Sequence, residues 1–235
     1  MVPYAVGEIA CPAISPARAH FHKSLSTEGA RSTVIAFSEV NVNPGSGATC
    51  GIRADDQSAR CWAATARVIS DVPRGVALHG LVVGIAHACA LRNRDNQAVC
   101  WGEDQGGPIS DLPQAVAFSQ LQVKQLPDLF GYEPNAHTCG VRESDGLVQC
   151  WGTRDALIVY PPPTVPVLRL SADGRCAILP KTHEIGCFDG SGGAVVAPEI
   201  RGVRFREIAD SATCGIREGD SLLTCWGSIL WNPVL

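Results

Sequence analysis

Ten thiols in this chain come in pairs at one fixed spacing. Cys50, Cys89, Cys139, Cys176 and Cys214 are each followed eleven residues later by a second cysteine: Cys61, Cys100, Cys150, Cys187 and Cys225. Thiols so placed have three chemistries open to them: oxidation to a bridge, metal ligation, or burial as small apolar groups. Structural zinc is bound by close C-x2–4-C doublets, and the sequence has none. Buried free thiols remain the alternative to bridges.

A bridge needs an element that brings both sulfurs together, and a two-stranded hairpin does so. In such a hairpin, positions summing to eleven face each other, so the cysteines oppose at 0 and 11. Position 2 then opposes position 9, giving Ile52/Ala59, Leu91/Ala98, Val141/Val148, Ile178/Ile185 and Ile216/Leu223. All ten are apolar, whereas a one-residue slip would exchange the two faces. The turn positions are polar: Asp55-Asp56, Arg94-Asp95, Ser144-Asp145, Lys181-Thr182 and Gly219-Asp220, as turn chemistry requires. Opposed residues in a non-hydrogen-bonded antiparallel pair have Cα atoms about 4.5 Å apart, within reach of a disulfide. Closing so short a loop contributes about 2–3 kcal/mol in the chain-entropy picture.

The hairpin belongs to a longer repeat. An aromatic residue follows each second cysteine (Trp62, Trp101, Trp151, Phe188, Trp226), and glycine follows it at Gly102, Gly152 and Gly227. Each ring is read as structural, packing beside its bridge. ISDVPRGVALHGLVVG (69–84) and ISDLPQAVAFSQLQV (109–123) are copies of one template, with looser versions before the fourth and fifth pairs. First cysteines are separated by 39, 50, 37 and 38 residues, the long gap carrying an insertion, KQLPDLFGYEP, at 124–134. Cys11 lies 39 residues before Cys50, with His22 at its partner position. Residues 1–27 therefore read as a degenerate sixth copy with one unpaired thiol, Cys11. The other units span roughly 28–66, 67–105, 106–155, 156–192 and 193–235, within a single domain of 1–235.

A period near 40 means a propeller or a solenoid. VIAFSEVNV and VRFREIA alternate with period two, the units are rich in Val, Ile and Phe with Gly/Pro punctuation, and no long helical periodicity occurs. Four short strands per unit make a propeller blade. The expected fold is all-β, a β-propeller of about six blades, each closed by a hairpin disulfide.

Hydrophobic residues make up 46% of the 235 and charged residues 18%, the composition of a folded chain. A net charge of −4 argues against nucleic-acid binding. The longest apolar run, GLVVGIAHACAL, is about half of what a membrane helix needs. The N-terminus lacks the layout of a secretory signal. No G-x-S-x-G elbow, P-loop, H-E-x-x-H or dinucleotide fingerprint is present, so no enzyme activity, cofactor or metal is expected.

ATCGIRADDQSARCW, HTCGVRESDGLVQCWG and ATCGIREGDSLLTCWG, each preceded by an F-x-x-[VLI] strand, resemble the ectodomain repeats of plant Crinkly-type receptor-like kinases, over residues 34–227. These kinases belong to the propeller superfamily of the regulator of chromosome condensation. The resemblance implies a seven-bladed propeller outside the cell or at its surface, followed by a membrane helix and a kinase, acting in developmental signalling. This chain shows five sound units and one decayed copy, no membrane segment, and no H-R-D or D-F-G of a kinase. It reads as a truncated form with an incomplete ring and no kinase activity. The function implied is recognition of a protein or peptide ligand. Two alternatives stand beside it: an intracellular propeller regulator of a GTPase or chromatin, and a secreted inhibitor-like propeller.

Two surfaces are candidates for the ligand. Phe130 and Tyr132 sit in the insertion, where exposed aromatics on a scaffolded loop make a binding surface, unless they tuck back onto the blade. The acidic turns (Asp55, Asp56, Asp95, Glu143, Asp145, Glu218, Asp220) would line one rim, either to bind a basic ligand or as ordinary solvated turns. His20 and His22 share one face of an extended segment but lack a third metal ligand.

Overall fold

Each cysteine pair closes one hairpin, and each hairpin carries an inner strand in front of it. The computed structural model describes residues 35–43, 47–62, 71–104, 107–125, 136–152, 163–171, 174–188, 193–209 and 213–226. These build five antiparallel sheets in chain order. The first holds β1 (Phe37–Asn43), β2 (Ala48–Arg53) and β3 (Ala59–Trp62); the second holds β4 (Leu78–Val83), β5 (His87–Arg92) and β6 (Ala98–Gly102). The third holds β7 (Phe118–Gln125), β8 (Ala136–Arg142) and β9 (Val148–Trp151). The fourth holds β10 (Arg169–Leu170), β11 (Cys176–Ile178), β12 (Ile185–Phe188) and β13 (Ala194–Val196). The fifth holds β14 (Phe205–Ile208), β15 (Cys214–Arg217) and β16 (Leu223–Cys225).

Among the described residues there is no α-helix; Pro198–Ile200 is a single 3-10 turn. Among the described residues, the expected fourth, outer strand occurs in the fourth sheet alone. The insertion begins as strand: Lys124 and Gln125 extend β7 and pair with His137 and Ala136. The degenerate copy at 1–27 lies outside the described residues.

The hairpin register is the one the apolar pairs demand. Cys50 opposes Cys61 and Ile52 opposes Ala59, and the other four hairpins repeat the match. All five pairs are bonded, with Cα atoms 3.9 to 4.1 Å apart.

The core lies between the sheets rather than within them. The bridge and apolar pair of one unit form its trailing face, which packs on the inner strand and post-cysteine ring of the next. Cys50, Ile52 and Ala59 thus meet Leu78, Leu81, Val83 and Trp101. Cys89, Leu91 and Ala98 meet Phe118, Leu121 and Trp151. Cys139, Val141 and Val148 meet Val167, Leu170 and Phe188. Cys176, Ile178 and Ile185 meet Phe205 and Trp226.

Trp101, Trp151, Phe188 and Trp226 therefore each sit beside the preceding unit's bridge, not their own. Strand geometry requires this, because the ring directly follows its cysteine and successive side chains point to opposite faces.

The C-G and C-A variants of the motif follow from the same packing. A β-carbon on Gly51, Gly140 or Gly215 would strike the ring of Phe37, Phe118 or Phe205. Where the second unit has Ala90, the inner strand supplies the slimmer Leu78, and both are fully buried.

Candidate ligand-binding surface

Four of the five hairpin tips are built from an arginine three residues after the first cysteine and an aspartate three further on; the fourth hairpin has Leu179 and Thr182 at those places. Arg92 donates to Asp95 at 3.0 Å, Arg142 to Asp145 at 3.1 Å and Arg217 to Asp220 at 2.9 Å. In the first hairpin Arg53 takes Asp55 at 2.9 Å and lies 3.6 Å from Asp56. Each turn carboxylate also accepts a backbone amide two residues on: Ser58 for Asp56, Gln97 for Asp95, Leu147 for Asp145 and Leu222 for Asp220.

These partners hold the acids ionised. The Leu147 amide, with Arg142, keeps Asp145 below the usual carboxylate range, and Arg217, with the Leu222 amide, does the same for Asp220. Asp56 is lowered by the Ser58 hydroxyl and amide. The two remaining acids tie units together. Glu143 accepts from Asn96 at 2.7 Å, and Glu218, lowered chiefly by Arg204, bridges Arg204 at 2.7 Å and His183 at 3.2 Å. The acidic tips are thus neutralised by their own hairpins and neighbours, which removes the argument for a basic ligand on that rim. The C-G-[IV]-R-x-x-D spacing carried this signal in the sequence.

A second device recurs one residue later. Gln57, Asn96, Gly146, His183 and Ser221, each seven residues after a first cysteine, are all left-handed, with φ from 53° to 72°. The first four turn their carbonyls to the next unit, accepting the amides of Leu78, Phe118, Val167 and Phe205 at 2.8 to 2.9 Å. Side chains reinforce the latch: Gln57 accepts from Asn93 at 2.6 Å, and Asn96 and His183 reach the glutamates above.

Inner strands β1, β4, β7 and β10 line a cleft of about 480 Å³. Some of its polar groups hold neighbouring strands together. The Glu39 carboxylate accepts the Gly80 and Leu81 amides at 3.1 and 3.0 Å. The Gln120 side chain accepts the Leu170 amide at 2.8 Å and donates to its carbonyl at 2.9 Å. Asn41 and Arg169 pair through their backbones with Cys50 and Ile178, but their side chains make no hydrogen bond to another described residue and line the same cleft beside the exposed Val42 and Leu168. This combination suits an extended polypeptide: an amide to exchange hydrogen bonds with backbone, a cation for a carboxylate, and apolar side chains to cover.

Between the second and third units, buried His87 meets the Thr138 hydroxyl at 2.8 Å. Burial pushes its pKa down to about 4, assisted by nearby buried His137 and opposed by Asp104.

Phe130, Tyr132, Cys11, His20 and His22 lie outside the described residues. Among those described, no three His, Cys, Asp or Glu side chains are grouped to hold a metal, and no helix is long and apolar enough to cross a membrane.

No family model and no curated protein matches the chain. Solved structures do, two receptor-kinase ectodomains among them. The CRINKLY WD40 ectodomain of the Arabidopsis thaliana receptor kinase ACR4 is 27% identical, with a TM-score of 0.51, over 77% of this chain and 60% of that one. The entire ectodomain of the Physcomitrella patens receptor kinase CR4 is 21% identical, with a TM-score of 0.56, over 82% of this chain and 50% of that one. The chain thus spans between a half and three fifths of the ectodomains it matches. The fold is an all-β propeller similar to receptor-kinase ectodomains, and its five hairpin disulfides fit an extracellular location.

Proposed function

We propose that this chain is a non-catalytic recognition module that binds a protein or peptide ligand outside the cell or at its surface. In this reading it acts as the extracellular part of a Crinkly-type receptor kinase acts in developmental signalling, and it belongs to the wider propeller superfamily of the regulator of chromosome condensation. The observation that carries the reading is the inner-strand cleft. Asn41 and Arg169 are uncommitted there beside exposed apolar side chains, while the hairpin rim has spent its charges on itself. Phe130 and Tyr132 are proposed as a second contact from the insertion.

A phage-displayed library of random peptides, panned on the disulfide-intact protein, tests this. Enriched peptides are expected to carry an acidic residue or a free C-terminus and to lose at least about tenfold in affinity for Asn41→Ala/Arg169→Glu. Enriched peptides that bind wild type and variant equally would overturn the cleft assignment, and a panning that enriches nothing would overturn the recognition role.

A further inference from the structure

Four times along the described chain, the trailing face of one unit covers the leading face of the next. Two such faces meet no neighbouring unit among the described residues. On the first unit, Val40, Val42 and Trp62 are 56%, 55% and 46% exposed, while their counterparts Leu81, Val83 and Trp101 in the second unit are 5%, 7% and 1% exposed. The ring pair is already formed, with Phe37 and Trp62 at 5.6 Å, as Phe118 and Trp151 are at 5.4 Å and Phe205 and Trp226 at 5.6 Å. The Phe37 amide, matching those of Leu78, Phe118 and Phe205, meets no left-handed turn carbonyl among the described residues.

The fifth unit shows the mating half. Leu223 is 64% exposed, whereas its counterparts Ala59, Ala98, Val148 and Ile185 are buried. Ser221 holds the left-handed turn at φ 60°, and no described inner-strand amide reaches its carbonyl. Glu207 opposes Ile216 as Glu39 opposes Ile52. Glu39 grips the next unit's amides, but Glu207 meets only Arg206, 3.7 Å away, among the described residues.

We infer that the leading face of the first unit and the trailing face of the fifth are two halves of one self-association site, through which copies of this chain dock head to tail. The complementarity is already present four times within the chain: an apolar pair and bridge against an inner strand and indole, a left-handed carbonyl against an amide, and a carboxylate against backbone amides. Because the halves differ, the contact is heterologous, so it runs on until a ring closes or an open assembly forms.

Sedimentation equilibrium across a concentration series reads this out. Wild type is expected to rise above the monomer mass. Trp62→Arg and Leu223→Arg are each expected to weaken association at least about tenfold, keeping five bridges and the wild-type far-ultraviolet spectrum. Mixed in equal amounts, the two variants are expected to form a dimer that grows no further, since each retains the half the other lacks. If either variant misfolds, Val40→Lys and the milder Leu223→Gln replace them. A wild type monomeric at every concentration would overturn the inference and leave the faces to another segment or protein. Single variants that still associate, or a mixture that stays monomeric, would overturn it equally.

Discussion

One edge of the Phe118 ring closes on Gly140, with its Cε1 and Cγ 2.8 and 2.9 Å from where a β-carbon on that glycine would stand. Gly140 is therefore a space requirement set by a side chain on the neighbouring strand. Gly140→Ala is expected to destabilise the protein by about 1–3 kcal/mol through overpacking. Adding Phe118→Leu should recover much of the loss, because Leu78 over Ala90 is a solution the chain already uses. Urea unfolding of the single and double variants checks this, and additive losses would refute it.

The indoles should differ sharply by position. Trp151 is buried against the second unit's Cys89 and Leu91 and donates to the Pro108 carbonyl at 3.0 Å. Trp151→Ala is expected to cost about 3–5 kcal/mol. Trp62→Ala, measured at a concentration too low for association, should cost far less, because no described unit covers that ring. Equal losses would contradict packing between units.

Acid should act on His87 in a window of its own. Its pKa is near 4 in the folded chain against 6.5 ordinarily, so between those values the unfolded chain binds a proton that the folded one refuses. Stability should fall by about 3 kcal/mol as pH drops from 6.5 to 4 and owe nothing to this group above 6.5. The lowered carboxylates Asp56, Asp145, Glu218 and Asp220 act oppositely placed in pH: their contribution is present above the ordinary carboxylate range and is lost below it. Unfolding midpoints of wild type and His87→Gln from pH 4 to 7 separate the two, since only wild type should slope steeply across the upper window.

The turn clamps are exposed, so breaking one should be mild. Asp145→Asn is expected to lower the unfolding midpoint less than Gly140→Ala does, and to leave peptide binding at the cleft unchanged. A loss of binding would return the rim to the ligand surface.

The hairpins were legible in the sequence because period-two alternation ties each sulfur pair to an apolar pair two residues in, as Cys139/Cys150 with Val141/Val148 show. The residue after each second cysteine was legible as structural but not its partner, since Trp151 and Cys89 are far apart in the chain and meet only by sheet-on-sheet packing. The latch was hidden because Gln57, Asn96, Gly146, His183 and Ser221 share a backbone conformation rather than a side-chain type. The cleft residues Asn41 and Arg169 were equally invisible, since neither belongs to a motif and only the convergence of β1 and β10 brings them to one surface.

The claim on which the rest stands is that each unit is stapled by its own sulfur pair. Intact mass with alkylation before and after reduction, followed by peptide mapping, measures it directly. One thiol, Cys11, should label before reduction and all eleven cysteines after it, with bridges joining only cysteines eleven residues apart. Ten or eleven thiols labelled at the outset, or bridges that join different hairpins, would contradict it.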